Sequence, residues 1–136
     1  MGAIGGPAGL WAAWNQHQAN KRRRNGPPAE LVSVLAKVIE IADTVTYRYR
    51  DESWLDGSGL QSAKERLSEL NHLVVDQWLS AMITVVGAEI GLVLGSVTSP
   101  SDSPEQRAST VAKQTRDAVE LKSHAQRALS LLRPLL

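Results

Sequence analysis

Apolar residues recur at helical spacing in three long segments of the chain, and this pattern predicts an all-α fold. In the first segment, residues 29–49, apolar positions alternate at intervals of three and four, while charged residues return on the opposite side. Consecutive apolar pairs break the two-residue period that a strand requires. The apolar positions are Leu31, Leu35, Val38, Ala42, Val45 and Tyr49. This segment is therefore predicted to be an amphipathic helix. Polar residues at 48–52 are predicted to mark its exit, and residues 56–59 to form a turn before the next segment.

The second segment begins near Leu60, and its apolar positions continue to Val97. A single straight helix of this length would extend about 57 Å, at about 1.5 Å per residue, which is longer than the first segment could cover. We therefore expect a kink or an end at one of the late glycines of the segment. The candidate positions are Gly87, Gly91 and Gly95.

The later part of this segment has the composition of either a core helix or a membrane span. Between Ala81 and Val97 only Glu89 is charged. The length is marginal for a bilayer, and a carboxylate in the middle of a span is costly in lipid. A buried core helix is the favoured interpretation.

A third helix is predicted after a linker rich in serine and proline. Ser103 is suited to be its N-cap, Pro104 fits the first turn and Gln106 completes a capping box. The apolar pattern then continues to about Arg133, before Pro134.

Short connections between the three helices predict an antiparallel three-helix bundle with up-down-up topology over residues 27–136. Residues 1–26 form a separate unit with a glycine-rich start and an Asn-Gly-Pro-Pro end. Within this unit, residues 10–24 are predicted to form an additional short N-terminal helical arm. With 136 residues, the chain has the size of one domain.

Composition narrows the classes of function. The chain has no cysteine, which excludes disulfides, thiolate metal sites and cysteine nucleophiles. Its net charge of +1 argues against a general polyanion-binding surface. A cleavable export signal is disfavoured because the cations of the arm follow its apolar stretch. That stretch is also shorter than the roughly 20 residues that span a bilayer.

The arm contains the candidate anchoring residues of the chain. Four of the 15 basic residues are consecutive, directly after an apolar stretch with two tryptophans. Tryptophan followed by cations is typical of a membrane boundary or a partner anchor. A solvated helix end is the alternative, and nucleic acid is disfavoured because no helix-turn-helix or aromatic platform is present. The candidate residues are Leu10, Trp11, Trp14, Lys21, Arg22, Arg23 and Arg24.

Histidine and glutamate pairs raise the question of a metal site. Glu69 and His72 have the i, i+3 spacing with which helical bundles bind iron or manganese. A di-metal site would need a second such pair, but Glu120 and His124 are four residues apart. Two further inward carboxylates, Glu40 and Glu89, would also be required. We interpret these residues as solvated surface groups and expect no metal and no cofactor.

Motifs of common enzymes are absent from the sequence. It contains no P-loop, no glycine-rich dinucleotide motif and no G-x-S-x-G nucleophile elbow. We expect the protein not to be an enzyme.

The run from Ile4 to Trp14, followed by Gln16, Gln18 and the cations of residues 21–24, resembles the end of the membrane segment in uncharacterised actinobacterial-type proteins. Those proteins combine one N-terminal transmembrane helix, a basic stop and a cytoplasmic helical hairpin or bundle. The likeness rests on a motif in residues 4–24 and elsewhere on architecture alone, and the upstream half of the span has no counterpart here. It implies a location at the cytoplasmic face of a membrane and no activity.

These observations predict a non-enzymatic helical interaction or scaffold protein, tethered or oriented at a membrane or partner by residues 1–24. We expect an intracellular protein that binds a protein partner or a second copy, because its heptad spacings suit coiled-coil pairing between chains. One alternative is a small bacteriophage or other virion assembly component whose arm docks on a neighbouring subunit. A second alternative is a helical-bundle metalloprotein centred on Glu69 and His72.

Overall fold

The computed structural model describes residues 27–136, and this part of the chain is all-α, as the apolar pattern predicted. It contains five α-helices and no strand. The helices are α1 (Pro27–Tyr47), α2 (Glu52–Ser58), α3 (Leu60–Asn71), α4 (Gln77–Gly95) and α5 (Pro104–Leu132), followed by a 3₁₀ turn (Arg133–Leu135). The predicted arm of residues 1–26 lies outside the described residues.

Helix α1 forms as its pattern predicted, with two prolines in its first turn, where their missing N–H groups cost nothing. Its predicted apolar face is buried up to the last turn. The helix ends at Tyr47, two residues before the expected end. The buried predicted positions are Leu31, Leu35, Val38, Ala42 and Val45.

The segment after α1 was expected to be a polar exit and a turn, but it contains the short helix α2. Asp51 begins this helix, because its Oδ1 accepts a hydrogen bond from the Trp54 N–H at 2.9 Å. Gly59 ends it with a φ of +94°, a left-handed conformation that side-chain-bearing residues adopt at a cost. Residues 56–58, predicted as part of the turn, thus belong to the helix.

The largest departure from the predicted topology is a break in the second long segment. Helix α3 ends at Asn71 and α4 begins at Gln77, so the prediction of three helices is wrong in number. Asp76 starts α4 by accepting the Leu79 N–H at 2.9 Å. The Asn71 amide donates to the Thr84 hydroxyl at 3.2 Å and holds the two helices together. The predicted end near the late glycines is confirmed at Gly95.

Helix α5 begins at the predicted capping box. Gln106 N–H donates to Ser103 Oγ at 3.1 Å, and the Ser103 N–H donates to the Gln106 side chain at 2.7 Å. The helix continues to Leu132, and the chain passes through Pro134 in the 3₁₀ turn.

The four long helices pack as a ring in which each contacts two neighbours: α1 lies beside α3 and α5, and α4 lies beside the same two. Cross-helix pairs show that neighbours run antiparallel. As the chain advances from Asp43 of α1 to Arg50 just after this helix, its partners on α5 go back from Lys122 to Gln114. As it advances from Glu89 of α4 to Ser96 just after this helix, its partners on α5 likewise go back from His124 to Gln114. The bundle is therefore up-down-up-down, and its buried apolar residues are all aliphatic. The bundle has one long helix more than predicted, because the second predicted helix is divided into α3 and α4, which fold back on each other.

Candidate interaction surface

Helix α4 buries only one of its faces in the bundle. Leu79, Ile83, Val86, Ile90 and Val93 point into the core and are at most 2% exposed. Their spacing of three and four residues accounts for a single helical face. Only about one-third of the helix is buried, although it is apolar almost all round.

The outward side of α4 carries an exposed apolar row. Trp78 is 77% exposed, Val85 is 37% exposed and Leu92 is 48% exposed, at seven-residue intervals. Small exposed residues, Ala81 and Ala88, lie between them, and Gly95 follows. We refer to these six residues as the α4 stripe: Trp78, Ala81, Val85, Ala88, Leu92 and Gly95. The stripe extends about 26 Å along the helix, at about 1.5 Å per residue.

The α4 stripe carries no charge. The one ionisable residue of α4 is Glu89, which is 8% exposed and lies on the side that faces α5. Its carboxylate is hydrogen-bonded to Nδ1 of His124 on α5. A buried carboxylate needs such a partner, because water is excluded from it. This pairing keeps the only charge of α4 away from its outward surface.

Polar side chains flank the stripe on both sides. On the α3 side, Lys64 lies across Gly91, where a Cβ would come within 3.1 Å of the lysine Nζ. On the α5 side, His124 and Arg127 line an open groove together with Met82 of α4. An apolar strip between polar edges has the layout of many protein interfaces.

Single exposed apolar residues are common on soluble proteins, whereas a continuous row is not. The other large apolar side chains that are exposed in residues 27–136 belong to separate elements. These are Tyr47, Leu73, Val119 and Leu136. The α4 stripe is thus the extended apolar surface of the described bundle.

A buried polar cluster fixes the end of α4 at which the stripe finishes. The amide of Gln114, which is fully buried, accepts the Arg50 N–H at 2.8 Å. It donates to the Arg50 carbonyl at 2.8 Å and to the Ser96 carbonyl at 2.9 Å. One side chain of α5 therefore joins the connection after α1 to the residue after α4.

A second buried group reinforces this end of the bundle. The Asp117 carboxylate lies 3.0 Å from the Ser96 hydroxyl and accepts Lys113 Nζ at 2.7 Å. Gln114 and Asp117 were not among the functional residues predicted from the sequence. The sequence feature that could have identified them is their spacing, because both lie three or four residues from buried positions of α5 such as Ala118 and Leu121.

Ion pairs on the outer surface connect α1 to its neighbours. Arg66 of α3 binds the Glu30 carboxylate and thereby lowers the pKa of Glu30. Lys122 of α5 donates to Asp43 at 2.7 Å, which raises the pKa of the lysine. Because both pairs are solvent-accessible, they contribute little to stability.

The candidate metal residues are only partly brought together. Glu69 binds Arg66 at 2.8 Å, while His72 and Glu40 are exposed. Glu89 is buried and hydrogen-bonded to His124, so the interpretation of Glu89 as a solvated surface group is wrong. In the part of the chain that the structure describes, no three His, Asp or Glu side chains are placed to hold a metal ion.

The candidate anchoring residues of the arm lie outside the residues that the structure describes. They are Leu10, Trp11, Trp14, Lys21, Arg22, Arg23 and Arg24. Within the bundle, α4 is long and apolar enough to cross a membrane, a property that core helices of soluble proteins share.

Comparison with known proteins identifies no relative. No protein-family model matches the chain, and neither a curated protein nor a solved structure is detectably similar to it.

Proposed function

We propose that this chain is a non-enzymatic interaction protein that binds another protein through the α4 stripe. The observation that supports the proposal is the exposed and uncharged apolar row on α4, with polar side chains on both edges. Burial of such a row against a partner is favourable, because it removes apolar surface from water without desolvating a charge.

The bundle provides a rigid support for this surface. Glu89 and His124 join the middle of α4 to α5, and Gln114 ties the residue after α4 to two other segments. A surface that is already ordered loses little conformational entropy when a partner binds. This rigidity suits a docking role.

We further propose that the N-terminal arm tethers the protein. Its two tryptophans and four consecutive cations have the composition of a segment that lies at a membrane surface or anchors to a partner. In this proposal, residues 1–24 locate the protein and the α4 stripe binds the partner.

Site-specific photo-crosslinking tests the docking role. A photo-reactive phenylalanine derivative replaces Leu92 in the full chain, and in a matched control it replaces Val119 on α5, which is 51% exposed against 48% for Leu92. We expect a discrete covalent adduct, identified by mass spectrometry, only from position 92. Equal adducts from both positions, or none from position 92, would contradict the proposal.

Liposome flotation tests the tether separately. Vesicles that contain anionic lipids are mixed with the full chain or with a version that lacks residues 1–24. We expect only the full chain to float, because the tryptophans and cations are removed from the shorter version. Equal flotation of both would remove the membrane tether and leave the docking role of α4 unaffected.

A further inference from the structure

The α4 stripe has an internal symmetry in its side-chain sizes. Large residues and small residues alternate at steps of three and four, so that each large residue has a small counterpart at the same distance on the other side of the stripe's midpoint, which lies between Val86 and Gly87. Trp78 corresponds to Gly95, Leu92 to Ala81 and Val85 to Ala88.

We propose that a second copy of this chain occupies the stripe, with the two α4 helices antiparallel about a two-fold axis that crosses the stripe at the level between residues 86 and 87. The inference rests on the proposed docking role of α4 and names its partner. In this register every large side chain of one copy faces a small residue of the other, so knobs meet holes along the whole contact. A two-fold contact uses the same surface twice, which requires this self-complementarity.

A parallel pairing fits the same stripe poorly. It would place Trp78 against Trp78 of the second copy, and Val85 against its own equivalent. The alanine positions and Gly95 would then face each other and leave gaps, which cost dispersion contacts. The order of residue sizes therefore favours the antiparallel arrangement.

The exposed area agrees with a weak dimer. From their exposed fractions, the three large residues of the stripe present on the order of 300 Å² of apolar surface per copy. Two copies would bury about 600 Å² of it, which is half of the roughly 1,200 Å² at the lower end of stable interfaces. The polar edges, which include Lys64 and Arg127, must supply the remainder. We expect a dissociation constant in the micromolar range.

A lipid surface is a poorer match for this stripe than a second copy. Helices that lie in a membrane interface bury large apolar residues over most of one face and carry cations along its edges. Half of the stripe consists of alanine and glycine. Small residues add little to partition into lipid, whereas they allow two helix backbones to approach closely.

Sedimentation equilibrium of the full chain tests self-association, with Val85→Lys as the variant and Val119→Lys as its matched control. Both valines are exposed on helices, so neither change disturbs the core. We expect wild type and Val119→Lys to dimerise with the same affinity, and Val85→Lys to dimerise at least about tenfold more weakly. A wild-type chain that stays monomeric at several hundred micromolar, or equal weakening by both changes, would overturn the inference.

Disulfide trapping tests the register, and the absence of native cysteine makes every crosslink attributable to the introduced thiols. An oxidised mixture of Ala81→Cys and Leu92→Cys chains is expected to form a covalent dimer, because these positions face each other. Leu92→Cys alone is expected to form none, because its two thiols would lie 11 residues, or about 16 Å, apart along the axis. Disulfides require Cα atoms within about 7 Å. The reverse result would overturn the antiparallel register.

Other occupants of the stripe give different outcomes. A monomeric chain whose position 92 crosslinks to a different protein overturns the second copy and keeps the docking role. A monomer without any adduct at position 92 overturns both. A full chain that is monomeric, and that dimerises only after removal of residues 1–24, overturns the second copy as occupant of the stripe in the full chain and assigns the stripe to the arm. The stripe is assigned to lipid if the chain is monomeric and its flotation with liposomes is abolished by Val85→Lys but preserved by Val119→Lys.

Discussion

Replacing Gln114 with leucine removes the side chain that joins three segments at one end of the bundle. Leucine has a similar volume, so the change creates no large cavity and acts mainly on hydrogen bonds. The Arg50 N–H, the Arg50 carbonyl and the Ser96 carbonyl would each lose their bond to the Gln114 amide. These three backbone groups determine the size of the effect.

The expected loss follows from how accessible each group is to water. A buried polar group without a partner costs about 1–3 kcal/mol. Ser96 is 3% exposed, so its carbonyl should incur about 2 kcal/mol of this penalty. Arg50 is half-buried, and water can partly replace the amide there, which leaves about 0.5 kcal/mol for each of its two groups. The free energy of unfolding should fall by about 3 kcal/mol, a large share of the roughly 5–15 kcal/mol of a small domain.

Urea denaturation followed by circular dichroism at 222 nm measures this loss. Gln126→Leu is the matched control, because Gln126 is exposed on the same helix and forms no hydrogen bond with its side chain in the described structure. Gln114→Glu should cost at least as much as Gln114→Leu. One carboxylate oxygen could still accept the Arg50 N–H, but the other would replace the donating amide nitrogen and repel the carbonyl oxygens of Arg50 and Ser96. A loss below about 1 kcal/mol for Gln114→Leu would refute the assignment of an organising role to this residue.

Three further changes test local features of the fold by the same urea assay. Ser103→Ala should cost about 1 kcal/mol through loss of the capping box, whereas Ser130→Ala on the exposed side of α5 should cost almost nothing. Gly59→Ala should destabilise by about 1 kcal/mol because of its positive φ, and Gly57→Ala, which has open space, should stabilise by about 0.5 kcal/mol; equal effects would contradict this. The pKa of Glu30 is lowered in the folded state, so its contribution is present above its ordinary pKa of 4.5 and is lost as the pH falls through the lowered value. Glu30→Gln should therefore destabilise at pH 7 by less than about 1 kcal/mol, and its difference from wild type should shrink as the pH falls below 4.5; a difference that grows in acid would reject the sign.

Local interactions explain which features could be predicted from the sequence. The buried face of α1 follows from apolar residues at helical spacing, and the start of α5 follows from Ser103 and Gln106, which contact each other within one turn. Such interactions involve residues a few positions apart. They form in the same way whatever the rest of the chain does, so the pattern alone determines them.

The break between α3 and α4 could not be predicted in this way. Val74 and Val75 continue the apolar pattern, and the cap at Asp76 is a single residue in a long periodic segment. Packing decides the outcome, because folding back lets α3 and α4 each cover part of the core that one long helix would leave exposed. The bundle thus has four long helices where three were expected.

Partners that are distant in sequence were also beyond prediction. Glu89 and His124 are 35 positions apart, and Gln114 reaches a backbone 64 positions away. Their proximity depends on the order of helices around the ring.

The α4 stripe shows most clearly which features local sequence determines and which features packing determines. The sequence by itself determined that α4 would be a helix with apolar residues on nearly every side and one charge at Glu89. Only the tertiary structure decided which of those sides is buried, because the bundle has room to cover one face of α4 with α3 and α5 and leaves the face with Trp78, Val85 and Leu92 to solvent.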